Sequence, residues 1–161
     1  MNPPEPTFDF VLGIIRRLAQ AQIATWLCGG WAEELWGHCS PRLHQDVDLL
    51  YPAPTFARLD HWLANMPDLS SISAKRFSHK RAVLCEDIMI EVVLLEPDEE
   101  GGYLTNFFNQ RYQLIWPPDT LSLLVVRGRE VPVGSSEALR LYRQQHRWVA
   151  EAYQTYLQGQ F

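Results

Sequence analysis

The sequence predicts an α+β fold, a mixed β-sheet flanked by helices. Helix signals stand near both ends of the chain, and short apolar runs of strand length fill the stretch between them. Those runs are unevenly spaced and do not alternate with helices as a regular βαβ series does. A three-layer α/β variant with a mixed sheet carries the same signals.

The elements follow in order. Pro3, Pro4 and Pro6 make a stiff lead-in, and Thr7 is placed to cap a helix over residues 8–20. Phe10, Val11, Ile14, Ile15 and Leu18 share one side of it. Residues 23–28 form a short strand candidate. Gly29 and Gly30 turn the chain, and 31–36 reads as a short helix ended by Gly37. A polar loop broken by Pro41 leads to a strand over 46–50. Pro54 or Thr55 opens a helix to about Met66, with Phe56, Leu59, Trp62 and Leu63 facing the core. Strands are expected over 70–77 and 81–95, the second bent around Glu86 and Asp87. After a turn over 97–102, extended pieces follow at 103–108 and 112–116. The run 121–127 has no clear period and reads as helix or strand, although Gly128 and Pro132 oppose a long helix. Ser135 or Ser136 starts a last helix over 136–157, with Tyr142, His146, Val149, Tyr153 and Leu157 as its apolar stripe. A single domain over 1–161 is expected, because no linker or repeat divides the chain.

Composition narrows the function. Apolar residues make up 47% and charged residues 20%, as in an ordinary globular protein. The net charge of −5 opposes general nucleic-acid backbone binding, which needs a basic footprint. It leaves room for a nucleotide whose phosphates are neutralised locally. Cys28, Cys39 and Cys85 form no CxxC pair, so neither a zinc site nor a disulfide framework is indicated. The opening MNPPEPTFDF lacks the pattern of a signal peptide, and no apolar run reaches the ~20 residues of a bilayer span. A cytoplasmic setting without membrane contact is expected.

The chemistry is concentrated in three acids. Asp46 and Asp48 are one residue apart on a strand candidate, so both carboxylates face one side. Two like charges so close repel and lose hydration, which a divalent cation relieves. Glu91 sits inside the apolar run IMIEVVLL, where a carboxylate needs solvent or a partner. If their strands are adjacent, the three acids converge on a Mg²⁺ site of the kind that handles phosphates. Asp87 shares Glu91's face by period two and is the substitute candidate; Glu86 and Glu96 are nearby competitors. Gly29 and Gly30 let backbone approach a ligand closely. A plain tight turn and a solvated strand end are the bland readings of these two motifs.

Here the chain resembles the DNA-polymerase-beta-like nucleotidyltransferases, in particular the aminoglycoside and lincosamide group. The resemblance rests on Gly29, Gly30, Trp31, Ala32 and Glu34, then Arg42, His44, Asp46 and Asp48, and is strongest over 23–50. Glu91 and the Gly101-Gly102 turn continue it over 80–102, and GREVPV with the last helix over 128–157. The resemblance implies a nucleotidyltransferase fold and Mg²⁺-dependent transfer of a nucleoside monophosphate to a hydroxyl. The donor is a nucleoside triphosphate, and the acceptor a small hydroxylated molecule, with an aminoglycoside-like compound as the candidate. Asp46, Asp48 and Glu91 match the catalytic and metal-binding acids, with Glu91 standing where the family usually has Asp. Gly29, Gly30, Arg42 and His44 match the nucleotide-binding positions. The stretch RWVAEAYQTYL lacks the Lys-Asp pair that the family often carries there. A non-catalytic nucleotide-binding or interaction domain of the same fold is the alternative.

Lys75, Arg76, Lys80 and Arg81 cluster near a hairpin and read as a solvated face or as triphosphate contacts. Glu34 reads either as a salt-bridge partner of Arg42 that holds the loop or as an exposed surface acid. Trp36, Tyr103, Tyr112 and Trp116 are candidates for stacking on a base or acceptor ring, with core packing as the bland reading.

Overall fold

The computed structural model describes residues 5–159. Helix α1 (Phe8–Gln20) is capped by Thr7, whose hydroxyl accepts a hydrogen bond from the Phe10 amide at 3.1 Å. Val11, Leu12, Ile14, Ile15 and Leu18 are buried on its inner side. Ile23 donates back to the Leu18 carbonyl while Gln22 takes φ +61°, so the helix exit absorbs it. Strand β1 is therefore only Trp26–Cys28. Helix α2 (Gly29–Leu35) follows at once, which makes the glycine pair its first turn rather than a separate turn before it.

Strand β2 (Asp46–Pro52) and helix α3 (Ala57–Ala64) come next, then strand β3 (Leu69–Ser71). The expected strand over 70–77 breaks after β3 into a 3-10 turn, Ser73–Lys75. Strands β4 (Lys80–Cys85) and β5 (Ile88–Pro97) are a hairpin rather than one bent strand. Glu86 and Asp87, at φ +51° and +63°, make its two-residue turn. Strands β6 (Tyr103–Phe107) and β7 (Tyr112–Ile115) form a second hairpin. Strands β8 (Leu121–Val126) and β9 (Arg129–Gly134) form a third, which resolves the run 121–127 as strand. Helix α4 (Ser136–Leu157) is capped by Ser135.

The main sheet has the order β3-β4-β5-β2-β1-β9-β8, and β6 extends β5 toward β7. Pairings β2–β5 and β1–β9 are parallel and the others antiparallel, so the sheet is mixed and the fold α+β. One face is covered by α1 and α3: Ile14, Leu18, Leu59 and Trp62 meet Val83, Ile90 and Val92. Burial of these side chains is the main force holding that layer. The other face carries α2 and α4. Trp36 of the α2 end donates its indole N–H to the Gly134 carbonyl at 2.8 Å, which ties α2 to the start of α4. Along α4, Ala138, Leu139 and Ala152 are buried, whereas Leu157 of the expected stripe is 57% exposed. No helix among the described residues is long and apolar enough to cross a membrane.

Candidate metal centre

Alternation along β2 buries Val47 on the α1 side and turns Asp46 and Asp48 to the opposite face. Parallel pairing then sets Asp48 directly beside Glu91 of β5, while Cys28 of β1 flanks Asp48 on its other side. One oxygen from each of Asp46, Asp48 and Glu91 lies within 4.8 Å of the others. The sequence expectation for these three acids is met in their placement. Asp87 is exposed in the β4–β5 turn and lies outside the cluster.

The glycine pair fits around this cluster. Gly29 has φ +68°, and a Cβ there would sit 2.2 Å from Oδ2 of Asp48. A Cβ on Gly30 would come 2.8 Å from both Arg42 Nη2 and His44 Nδ1. The loop bearing those residues is pinned to α2 by Glu34. Its Oε1 accepts from the Arg42 backbone amide at 2.8 Å and lies 3.0 Å from His44 Nε2. Glu34 therefore holds the loop through the Arg42 backbone and His44, in place of the expected salt bridge to the Arg42 guanidinium. His44 is buried beside Trp31, with ring centroids 4.7 Å apart.

The electrostatics are asymmetric. Burial, then the charge of Glu91, raises the Asp46 carboxyl above its ordinary range. Burial, then Asp46 and Glu91, pushes Asp48 up much further. Burial also pushes Glu91 upward, but Lys80 and Lys75 outweigh it and hold Glu91 low. Lys75 Nζ donates to Glu91 Oε1 at 2.7 Å, and Lys80 Nζ donates to Oε2 at 3.2 Å. These lysines are thus ion-pair partners of the third acid, with Lys75 still 42% exposed. Arg76 and Arg81 turn to the other face and bind Asp60.

One pair was absent from the sequence expectations. Glu33 is buried and ion-paired to Arg143 of α4, whose Nε lies 2.6 Å from Oε2. Helical spacing gives only the side each occupies, Glu33 with Gly30 and Arg143 with the buried Leu139, and no local signal pairs the two. Of the candidate stacking rings, Trp116 is buried with its N–H on Thr105 at 2.8 Å, and Trp36 is spent on Gly134. Tyr112 donates its hydroxyl to Gln145, and Tyr103 packs half-buried against the core.

The three acids border a cavity of about 300 Å³ that Gly29, Gly30, Lys80, Tyr142 and Arg143 complete. Hard carboxylate oxygens on one face, half-buried and mutually repelling, fit a magnesium-like cation. The donor chemistry and the raised Asp46 and Asp48 carboxyls agree with this.

Comparison with known proteins matches this architecture. The lincomycin-bound lincosamide antibiotic adenylyltransferase LnuA superposes with a TM-score of 0.72 at 14% identity, covering 95% of this chain and 99% of that one. ANT(2")-Ia, in complex with adenylyl-2"-tobramycin, gives 0.60 at 15% identity over 94% of this chain and 87% of that one. A putative nucleotidyltransferase from Thermotoga maritima gives 0.53 at 14% identity, over 97% and 98% of the two chains. These likenesses show the fold. No curated protein matches the chain by sequence. The model of the aminoglycoside-2''-adenylyltransferase family matches residues 10–158. The chain therefore belongs to the aminoglycoside-2''-adenylyltransferase family, within the DNA-polymerase-beta-like nucleotidyltransferases.

Proposed function

We propose that the protein transfers a nucleoside monophosphate from a nucleoside triphosphate to a hydroxyl group of a small molecule. The observation that carries this reading is the convergence of Asp46, Asp48 and Glu91 beside Gly29 and Gly30. In the reaction the acceptor oxygen bonds to the α-phosphorus, the bond to the β-phosphate bridge breaks, and pyrophosphate leaves with the displaced electron pair. The hydroxyl proton passes to solvent or to a carboxylate of the cluster.

Asp46 and Asp48 would hold Mg²⁺, with Glu91 as the third acid. When bound, the cation supplies charge stabilisation at the transferring phosphate. Gly29 and Gly30 let the Asp48, Arg42 and His44 side chains close on the backbone and line the cavity that a triphosphate would enter. Arg42, exposed on a loop that Glu34 pins, would take a phosphate. His44 is buried and braced by Glu34, so it positions that loop over Gly30. The lowered Glu91 carboxyl makes it a better holder of positive charge than a proton acceptor near neutral pH.

The ion pairs of Glu91 with Lys75 and Lys80 favour a second reading, a nucleotide-binding module without transfer. Calorimetry with a nonhydrolysable ATP analogue, with and without Mg²⁺, tests what both readings share. Binding should strengthen with Mg²⁺; equal binding after chelation rejects both. Product mass and pyrophosphate release with ATP then separate them. Transfer to any hydroxylated acceptor supports the enzyme, and Mg²⁺-dependent binding with no product favours the module.

A further inference from the structure

Strand β8 ends the main sheet, and no described residue pairs with its outer edge. The hairpin fixes which of its backbone groups face outward. Arg127 and Gly128, at φ +51° and +76°, make a two-residue turn, so Val126 and Arg129 are a hydrogen-bonded pair. In the same phase, Ser135 donates its amide to the Thr120 carbonyl at 2.8 Å. Thr120, Ser122, Leu124 and Val126 therefore turn their backbone groups toward β9. Leu121, Leu123 and Val125 turn theirs to the free edge.

The same residues present apolar side chains to water: Leu123 is 59% exposed and Val125 67%. Sheet edges are commonly protected by shortness, a proline, a lysine or a bulge. At the opposite end of the sheet, β3 is short and mostly polar, Leu69–Ser71. β8 has the sequence LSLLVV in unbroken register with β9 and carries none of these protections.

The edge is also complementary to itself. With a two-fold axis at Leu123, Leu123 meets its own counterpart and Leu121 meets Val125 of a second copy. Each of these outward pairs can exchange both of its N–H···O bonds. Just beyond the strand ends, Asp119 comes opposite Arg127 of the second copy. Both are exposed, and neither is ion-paired within the chain among the described residues. Other registers lose this match. Moving the axis toward Leu121 sets Val125 against Asp119, or against Pro117, which has no N–H. Moving it toward Val125 sets Leu121 against Arg127 or carries it past the hairpin end, and Asp119 is left without a partner.

We propose that β8 pairs antiparallel with β8 of a second copy about a two-fold axis at Leu123, making one continuous sheet across a dimer. The apolar side chains of Leu121, Leu123 and Val125 cover one another across the axis, and the Asp119–Arg127 pairs close the two ends.

The test is sedimentation velocity on the full chain across micromolar concentrations, with circular dichroism to show that each variant is folded. The wild type should reach a mass of twice 18.6 kDa. Leu123→Lys sets two ammonium groups against each other on the axis and should weaken the dimer about tenfold or more. Asp119→Arg and Arg127→Asp should each weaken it about threefold, and the two together should restore it. Ser71→Lys, on the opposite edge of the sheet, should leave it unchanged. If Leu123→Lys does not fold, the charge reversals, both at exposed residues, decide in its place. A wild type that stays monomeric at about 200 µM overturns the proposal. So does a species larger than a dimer, a folded Leu123→Lys that dimerises unchanged, or a double reversal no tighter than the single ones. Loss of the dimer in Ser71→Lys moves the interface to β3 and overturns it as well.

Discussion

Lys80 and Arg81 are neighbours on β4 and serve opposite faces of one sheet. On the helix-covered face, Arg76 and Arg81 converge on Asp60. Arg81 grips both Asp60 oxygens, at 2.8 and 3.1 Å, donates to the Phe77 carbonyl and lies over the Phe56 ring. On the cleft face, Lys75 and Lys80 converge on Glu91. A guanidinium fork fixes geometry, whereas an ammonium is a point charge on a flexible stem. The first network is closed, and Asp60 is lowered because its arginine contacts outweigh the burial that pushes it up. The second is open: Asp46 and Asp48 stay raised and unmatched beside it. The contrast teaches that one face has its charges paired while the other carries a mutually repelling acid cluster of a kind that fits a cation.

The largest effect should come from removing the unmatched charge. Asp48→Asn should lower nucleotide transfer by ~10²–10³-fold, as the loss of a preorganised electrostatic contact does. Its thermal midpoint should not fall, because a buried repelling carboxylate is gone. Pyrophosphate release and a melting curve on one preparation measure both. Unchanged transfer would reject the mechanism, and a large drop in melting temperature would mean that Asp48 belongs to the scaffold.

A smaller effect belongs to the closed network. Arg81→Lys keeps the charge but loses the fork and the ring contact, so urea unfolding should show a loss of about 2 kcal/mol. Transfer per folded molecule should stay the same. Lys80→Arg should cost less than about 0.5 kcal/mol. Equal losses from the two substitutions would erase the difference between the faces.

An effect spread over several pH units concerns His79, which precedes both residues. It is buried against Phe107 and Phe108, and its Nδ1 accepts from the Phe108 amide at 3.1 Å. Burial, then Lys80, lowers it from the ordinary 6.5 to about 3. The folded state thus prefers the neutral ring. That contribution is complete above pH 6.5 and is lost as pH falls from 6.5 toward 3. The loss runs at about 1.4 kcal/mol per pH unit. Urea midpoints across that window should fall, and His79→Gln should flatten the slope. A wild-type slope equal to that of the variant would show that other groups set the acid limb.

The acids were legible in the sequence because each was a local anomaly. Strand alternation fixed the common side of Asp46 and Asp48, and Glu91 stood out in an apolar run. Their partners were not legible. The register that sets Lys80 opposite Val93 and Ala82 opposite Glu91 depends on the Glu86-Asp87 turn, which the sequence reading took for a bend. Lys75 reaches Glu91 from a 3-10 turn where a strand was expected. Gly29 was recognised as a point of close approach, but its role in opening α2 was not, since one glycine serves turns and helix starts alike. Glu33 and Arg143 meet across 110 residues, a separation at which periodicity says nothing about contact.

The same separation bears on how the chain is made. Three ties from α2 and its exit to the stretch from the end of β9 into α4, Trp36 to Gly134, His38 to Ser136 and Glu33 to Arg143, join segments about a hundred residues apart. A nascent chain that has emerged only through β9 has all three acids and the glycine pair but lacks the Arg143 and Tyr142 wall. Long-range closures are slow because the intervening loop loses its freedom before the contact forms. The α4 wall of the cleft is therefore added only after β9, and until then the acids border a trough open on that side.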